Sequence, residues 1–461
     1  MPDTQQGLPK EAADFLVAHP ETVAIDAIYP DLSGVIRGKR YPVSDLDKIM
    51  GGGLAFPGSV FLLDTMGESH DPGGKGFSDG DPDCKARVIP GSLKPVPWAE
   101  RPLGQVMVTL ETSKGGPYPF EPRSVLAATL ARVKELGYRP MVAFELEFYL
   151  IDRERTETGA PQPPISPLTG QRDHGTQVYG MNEVDAYADL LEDITEACAA
   201  QDIPTGAASA EYAPGQFEIN LNHIDDPLLA ADHCVMFKRV VKGVVRRYGM
   251  QATFMPKPYL DCAGSGLHIH VSLYDKKGRN VFAGEDGSDP RGSDLLRHGI
   301  GGVLELLPES MSFLAPNVNS FRRFEPNIFV PITRSWGYEN RSVALRVPLG
   351  GPQARRIEHR VAGADANPYL ALATCLAGVH HGIVNKLNPG EAATGNAGKD
   401  FDDGLPFRPR RALDTTLQSK VLPDYFGAEY LRAYVECKMA ELEKFEWEIT
   451  PIEYSWYLQA E

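Results

Sequence analysis

The stretch "FELEFYL" sets Glu145 and Glu147 into a run that is otherwise apolar and aromatic. Aromatic residues favour a pleated surface, and charge recurring with period two reads as a strand. Side chains at i and i+2 share a face, so the two carboxylates stand roughly 7 Å apart. Phe144, Leu146 and Phe148 take the opposite face. The stretch "GLHIHVSLY" repeats the pattern, with His268 and His270 on one face and Leu267, Ile269 and Val271 on the other. "EYAPGQFEINL" adds Glu211 and, after a Pro-Gly turn, Glu218. "RSVALRVP" carries Arg341 and Arg346, and "ARRIEHRVAG" sets Arg356, Glu358 and Arg360 at alternate positions. Any one of these runs fits a half-buried strand with a wet side, since Glu is almost never fully buried unless paired. Together they are five carboxylates, two imidazoles and several arginines in apolar β-sequence. Like charges crowd one face only when cations neutralise them. Ligands rich in oxygen and poor in sulfur suit Mg²⁺ or Mn²⁺, with a histidine tolerable for Mn²⁺. Arginines beside such ions suit a transferring phosphoryl group.

Strands of this kind need helices to cover their apolar side. The periodicity predicts helices over 125–136 (Ser124 as N-cap, Gly137 as stop), 184–200, 227–248, 367–387 and 428–447. Strand-like runs at 141–150, 216–221, 267–274 and 341–348 lie among them. Upstream, "VAIDAIYPDLSGVIRGKRYP" reads as two strands around a turn. "HDPGGKGFSDGDPD" is a loop without the residue order of a P-loop. "GAPQPPISP" and "QRDHGTQVYG" read as a surface loop. The linker "SKGGPYPFEPRS" marks a boundary, giving an N-terminal sheet domain over 1–115 and a larger domain over 116–461. The class is α+β.

The 461 residues are ample for a large core, and 42% hydrophobic with 23% charged residues is ordinary for a soluble protein. A net charge of −16 argues against nucleic acid or an anionic membrane as main partner, and favours cationic ligands. Six scattered cysteines without a C-x-x-C pair fit reduced thiols in a cytoplasm. The N-terminus lacks the pattern of a signal peptide, and no window approaches the ~18 apolar residues of a membrane helix.

In order and spacing, "FELEFYL", "EYAPGQFEINL", "FMPKPYLDCAGSGLHIHVSL", "NSFRRF", "ENRSVALRVP" and "RRIEHRVAGADANPYL" resemble the glutamine synthetase family, from about Leu54 to the C-terminus. The resemblance implies an N-terminal β-grasp domain and a catalytic domain whose antiparallel strands form an open barrel flanked by helices. It also implies active sites between subunits of a homo-oligomer, a dodecamer or a single hexamer. Carried over by position, Glu147, Glu211 and Glu218 would hold one metal, and Glu145, His268 and Glu358 the other. His270, Ser272, Arg341, Arg346 and Arg356 would contact ATP. Arg341 and Arg360 would stabilise the phosphoryl group and the acyl phosphate, while Arg323 and Gly264, with Arg360, would bind glutamate.

Two departures bear on the second substrate. The family binds and deprotonates ammonium with an Asp in an "F-D-G-S-S" latch and a Glu in the flap after an "R-R" pair. Here the latch reads "FPGSV", with Pro57 in place of the Asp, and Phe329 stands at the Glu position. That makes a poor hole for NH₄⁺ and a better wall for a carbon chain, with Glu325 as a candidate base. Ala263 and Gln353 replace an Asn and a Lys, and Asp403 precedes "GLP" where an adenylylated Tyr would stand. These changes look like the γ-glutamylpolyamine (γ-glutamylputrescine) synthetase branch, an ATP-dependent ligase acting on glutamate and an amine such as putrescine. The alternatives are a monoamine or ethanolamine ligase, glutamine synthetase itself, and an inactive structural homologue. A metal-dependent amidohydrolase also uses H-x-H, but with further histidines rather than four acidic partners.

Overall fold

The computed structural model describes residues 8–172, 175, 178–283 and 291–460. Four positions of "QRDHGTQVYG" (173, 174, 176 and 177) lie outside the described residues. Two sheets organise the chain. The first holds six strands: β1 (Ala24–Pro30), β2 (Ile36–Pro42), β3 (Leu54–Pro57), β4 (Asp83–Val88), β5 (Lys94–Pro95) and β6 (Leu103–Glu111). Their order is β2-β1-β6-β4-β3, with β5 on β6. β1 and β2 form the hairpin read from the sequence, and β6 lies parallel beside β1.

The second sheet has eight strands: β7 (Arg139–Ile151), β8 (Thr205–Ala210), β9 (Gln216–Leu221), β10 (Gln251–Thr253), β11 (Leu267–Tyr274), β12 (Trp336–Tyr338), β13 (Leu345–Val347) and β14 (Ile357–His359). They run in the order β12-β13-β14-β11-β7-β9-β8, with β10 paired to β7. The centre is the antiparallel pair β7–β11. Phe144, Leu146 and Phe148 are fully buried on its apolar side, where Phe148 meets Phe237 of helix Pro227–Arg247 edge-on at 6.3 Å. Period-two alternation thus leaves Glu145 and Glu147 on the other face. Asp226 caps that helix by accepting from the Leu228 and Leu229 amides.

Several elements differ from expectation. The first long helix is Pro122–Glu135, starting three residues early; Glu121 is its N-cap, and Ser124 donates to the Glu121 carboxylate instead of capping. Pro at the first helical position explains the shift, because its fixed φ suits the first turn. The stretch over 184–200 is two helices, Met181–Ala186 and Ala188–Ala199, broken at Tyr187. The run at 341–348 keeps only β13 as strand, and its first residues form a turn. Helices Pro368–Asn385 and Ala428–Glu446 fall within two residues of expectation.

Helix Asp294–Leu314 has no counterpart in the sequence reading. Its "HGIGGVLELLPES" looks interrupted, and Pro308 lies inside it. Its glycines serve packing: a Cβ on Gly302 would stand 2.1 Å from the Gly378 carbonyl of helix Pro368–Asn385. The two backbones approach so closely that only glycine fits.

The two sheets are tied by buried polar contacts. Arg239 pairs with Asp26 of β1 at 2.8 Å, and Asn367 donates to the Asp31 carbonyl at 3.0 Å. The cysteines are free thiols, and among the described residues no helix is long and apolar enough to cross a membrane.

Candidate active site

Strand register gathers the singled-out residues on one face of the second sheet. Glu145 of β7 lies opposite His268 of β11, and Glu147 lies opposite Glu218 of β9. His270 is opposite Glu358 of β14, which is in turn opposite Arg346 of β13. Five strands therefore each contribute to one charged surface.

Glu145 is the hub. His268 Nδ1 lies 3.1 Å from one of its oxygens. His270 Nε2 lies 2.9 Å from the other, without the alignment of a hydrogen bond. Glu147 accepts from the Gly266 amide at 2.8 Å and from Gln216 Nε2 at 3.4 Å. The ligand atoms of Glu145, Glu218 and His268 all lie within 4.8 Å of one another. This trio takes Glu218 from one expected metal set and Glu145 and His268 from the other. Glu358 of the second set is held by arginines, with Arg346 at 2.8 Å and Arg360 also against its carboxylate.

The electrostatics show what the face lacks. Burial, then the charges of Glu145, Glu147 and Glu211, pushes the Glu218 carboxyl up to about 9. Burial and Glu147 raise Glu211 to about 7. Glu145 and Glu358 go the other way: burial opposes their ionisation, but the histidines for Glu145, and His270 and Arg360 for Glu358, hold them below the usual carboxylate range. A face on which burial, then mutual repulsion, raises two carboxyls while neighbouring carboxylates stay ionised fits a divalent cation, which would displace the held protons.

The arginines divide in two. Arg323 is 2% exposed and donates to the Val361 carbonyl at 3.1 Å, while Arg322 points out. Its Nε has no partner, and burial lowers its pKa against the raising effect of Glu147. Gly264 lets it approach, because a Cβ there would stand 2.5 Å from Arg323 Cγ. Arg360 is likewise buried, with an unpartnered Nε. A buried guanidinium with an unused N–H keeps a donor that an anion can take up. Arg356 Nε donates to His270 Nδ1 at 3.0 Å. Arg341 is exposed in a turn and donates to the Tyr179 hydroxyl at 3.3 Å. Ser272 Oγ donates to the Arg355 carbonyl at 3.1 Å.

The departing positions also find their places. Phe329 is exposed, its ring 6.2 Å from that of Tyr212, the residue after Glu211. Glu325 stands 3.2 Å from Lys257 Nζ, so it enters the flap as half of an ion pair. Pro57 ends β3, whose next turn is held by Ser59 donating to Asp81. The Ala263 carbonyl accepts from Tyr149, the Gln353 carbonyl accepts from Tyr274, and Asp403 is exposed. Sequence reasoning missed Gln216, Asn220, Lys257 and Tyr212. Gln216 and Asn220 were legible, since they alternate with Glu218 on β9 and so share its face. Lys257 and Tyr212 lie in loops, where no period reveals direction.

Known proteins match this arrangement over nearly the whole chain. A family model described as "Glutamine synthetase, catalytic domain" covers residues 119–457. The chain is 43% identical over 98% of its length, and 94% of the relative's, to gamma-glutamylputrescine synthetase of Escherichia coli (strain K12). It is 30% identical to glutamate–isopropylamine ligase of a Pseudomonas species, with 94% of each chain covered. To gamma-glutamylethanolamide synthetase of Streptomyces coelicolor it is 32% identical, covering 95% of this chain and 93% of that one. The solved structure titled "GmaS/ADP complex" superposes with a TM-score of 0.82 at 26% identity, covering 97% and 99% of the two chains. Motif order, sheet register and these alignments agree: the chain belongs to the glutamine synthetase family.

Proposed function

We propose that this enzyme joins the γ-carboxylate of glutamate to a primary amine, using ATP, with a polyamine such as putrescine as the preferred amine. In the first half-reaction a γ-carboxylate oxygen attacks the terminal phosphorus of ATP and ADP leaves. In the second, the amine nitrogen attacks the acyl carbon of γ-glutamyl phosphate, phosphate departs, and the amine gives up a proton. Arg323, in the niche opened by Gly264, pairs with the glutamate carboxylate. Arg360 and Arg341 face the transferring phosphoryl group and the acyl phosphate, whose charge their fixed donors stabilise. His270, Ser272, Arg346 and Arg356 line the nucleotide side, Ser272 by bracing the Arg355 backbone. Glu147, Glu211 and Glu218, with Glu145, His268 and Glu358, would hold two divalent cations, Mg²⁺ or Mn²⁺. Such ions would supply positive charge against the negative charge that develops on the transferring phosphoryl group. Glu325, positioned by Lys257, is the candidate base for the amine.

The observation that carries the amine reading is Phe329. Where ammonium-using members carry a flap Glu, this chain presents a half-exposed ring against Tyr212. The 43% identity to a protein named gamma-glutamylputrescine synthetase supports a diamine rather than a monoamine as this chain's substrate. Three further readings complete the picture. The hairpin β1–β2 with β6 parallel beside β1 is a β-grasp domain, ending near residue 115. The protein acts in the cytoplasm. It assembles as a hexamer or dodecamer whose sites lie between subunits.

ADP release with ATP, glutamate and a panel of putrescine, a longer polyamine, ethanolamine, isopropylamine or ammonium tests the function. The expected order puts putrescine or the longer polyamine first and ammonium last in kcat/KM, corrected for the unprotonated fraction. Ammonium equal to or better than every organic amine would make this a glutamine synthetase. No ADP with any amine would make it an inactive homologue.

A further inference from the structure

Tyr212 and Phe329 come from distant loops, yet their rings meet at 6.2 Å while remaining 43% and 56% exposed. Exposed aromatic residues scattered singly need no explanation, but a facing pair beside a charged site does. Both rings are held from behind. Tyr212 projects from a tight turn in which the Glu211 amide donates to the Gln216 carbonyl at 2.9 Å and the Gln216 amide to Ala213 at 3.0 Å. Gly215 closes that turn at φ 70, a left-handed conformation that favours glycine. Phe329 is anchored through Asn327, whose amide donates to Gly398 at 2.8 Å and whose side chain accepts from Asn396 at 3.1 Å. The Lys257–Glu325 pair fixes the start of the same segment. Two rigidly based rings with free faces form an apolar wall rather than a loose surface patch.

We infer that Tyr212, paired with Phe329, is a specificity-determining residue for the amine: its ring carries the alkyl chain and so sets the preferred chain length. The inference rests on the proposed amine ligation and adds the subsite that reads the amine. Tyr212 directly follows Glu211 on the charged face, so the wall begins where the reacting end must lie. Methylenes leaving that point lose water against the rings. A distal ammonium is attracted by the ring faces, which carry negative charge in their quadrupoles. A short amine ends before it covers them, and ammonium has no chain to lay down.

The experiment compares the full-length enzyme with Tyr212→Ala, Phe329→Ala and the double variant. Each is assayed by ADP release with Mg²⁺ and a series from methylamine to n-pentylamine, plus putrescine. Each methylene buried on the wall is worth up to about fourfold in kcat/KM. The parent enzyme is expected to show rising kcat/KM along the series, and both alanine variants a flattened slope. For putrescine the loss should reach about tenfold and exceed the loss for methylamine. Tyr212→Phe should keep the slope, since the ring face does the work. Equal losses at every chain length would mean the pair only supports the fold, and an unchanged slope would mean the chain lies elsewhere; either result overturns the inference. A parent enzyme that prefers ammonium overturns the amine reading itself, and the wall with it.

Discussion

Glu218 shares its face with Glu145, Glu147 and Glu211, and burial, then their repulsion, pushes its carboxyl up to about 9 from an ordinary 4.5. Between those two values the folded chain holds a proton that the unfolded chain has released. This group's contribution to stability is therefore full below about pH 4.5 and is lost as pH rises towards 9. A divalent cation held by Glu218, as proposed, would compete with that proton, so its own stabilisation would grow over the same window. The gain in Tm on adding Mn²⁺ or Mg²⁺ to chelator-treated protein is expected to be larger near pH 8.5 than near pH 6.5. Glu218→Gln should remove most of the difference. Equal gains at both pH values in the parent protein would place cation binding away from this face. At this scale much was legible beforehand: the alternation in "FELEFYL" and "GLHIHVSLY" is what the backbone of a strand does with side chains, whatever surrounds it. Alternation likewise put Arg360 on the face of Glu358, but the pairing of Glu358 with Arg346 was not legible. It depends on β13 and β14 meeting in register, which no local pattern encodes.

Elements decide whether such residues are held or merely present. Arg323 ends the short 3-10 helix Val318–Arg323, and Asn317 with Ser320 form a capping box at its start. Both of those side chains donate to half-buried Asp365, at 2.7 and 2.6 Å. Asp365 thus fixes the turn that aims Arg323, without being placed to touch glutamate. Losing these partly buried bonds leaves two donors short of a partner, at about 1–3 kcal/mol. Asp365→Ala is expected to lower stability by that order and to raise the KM for glutamate, with the KM for ATP serving as reference. Arg323→Ala, which removes the charge proposed to pair with glutamate, should raise glutamate KM further. An Asp365 variant with unchanged glutamate KM would mean that the guanidinium is held by the Gly264 niche alone. Element-scale legibility followed pattern strength. Strands β7, β9 and β11 alternate where they carry their charged residues and were readable within two residues. Helix Asp294–Leu314 was hidden, because the glycines that let it pack against Pro368–Asn385 are the residues that read as breaks.

The whole molecule carries its charged face on one sheet and its latch on the other. Pro57 sits on β3, at the edge of the first sheet, next to the turn that Asp81 fastens. An edge strand ending in proline resists extension by another strand, which leaves its side chains as the means of contact. The chain also leaves large apolar side chains uncovered outside the amine wall, among them Phe77, Leu260 and Trp447, each more than three-quarters exposed. Exposed apolar surface of that extent marks association when it is contiguous. Under the subunit-interface reading, the latch of one subunit completes the charged face of the next, and an isolated chain would have the metal ligands but an open amine side. Sedimentation equilibrium is expected to give a mass of six or twelve chains. Dilution below the dissociation range should then abolish amine-dependent ADP release in step with loss of the large species, because the amine side is what a neighbour closes. A monomer of full specific activity would show that one chain's Phe329 and Tyr212 suffice, and that Pro57 has no part in the site.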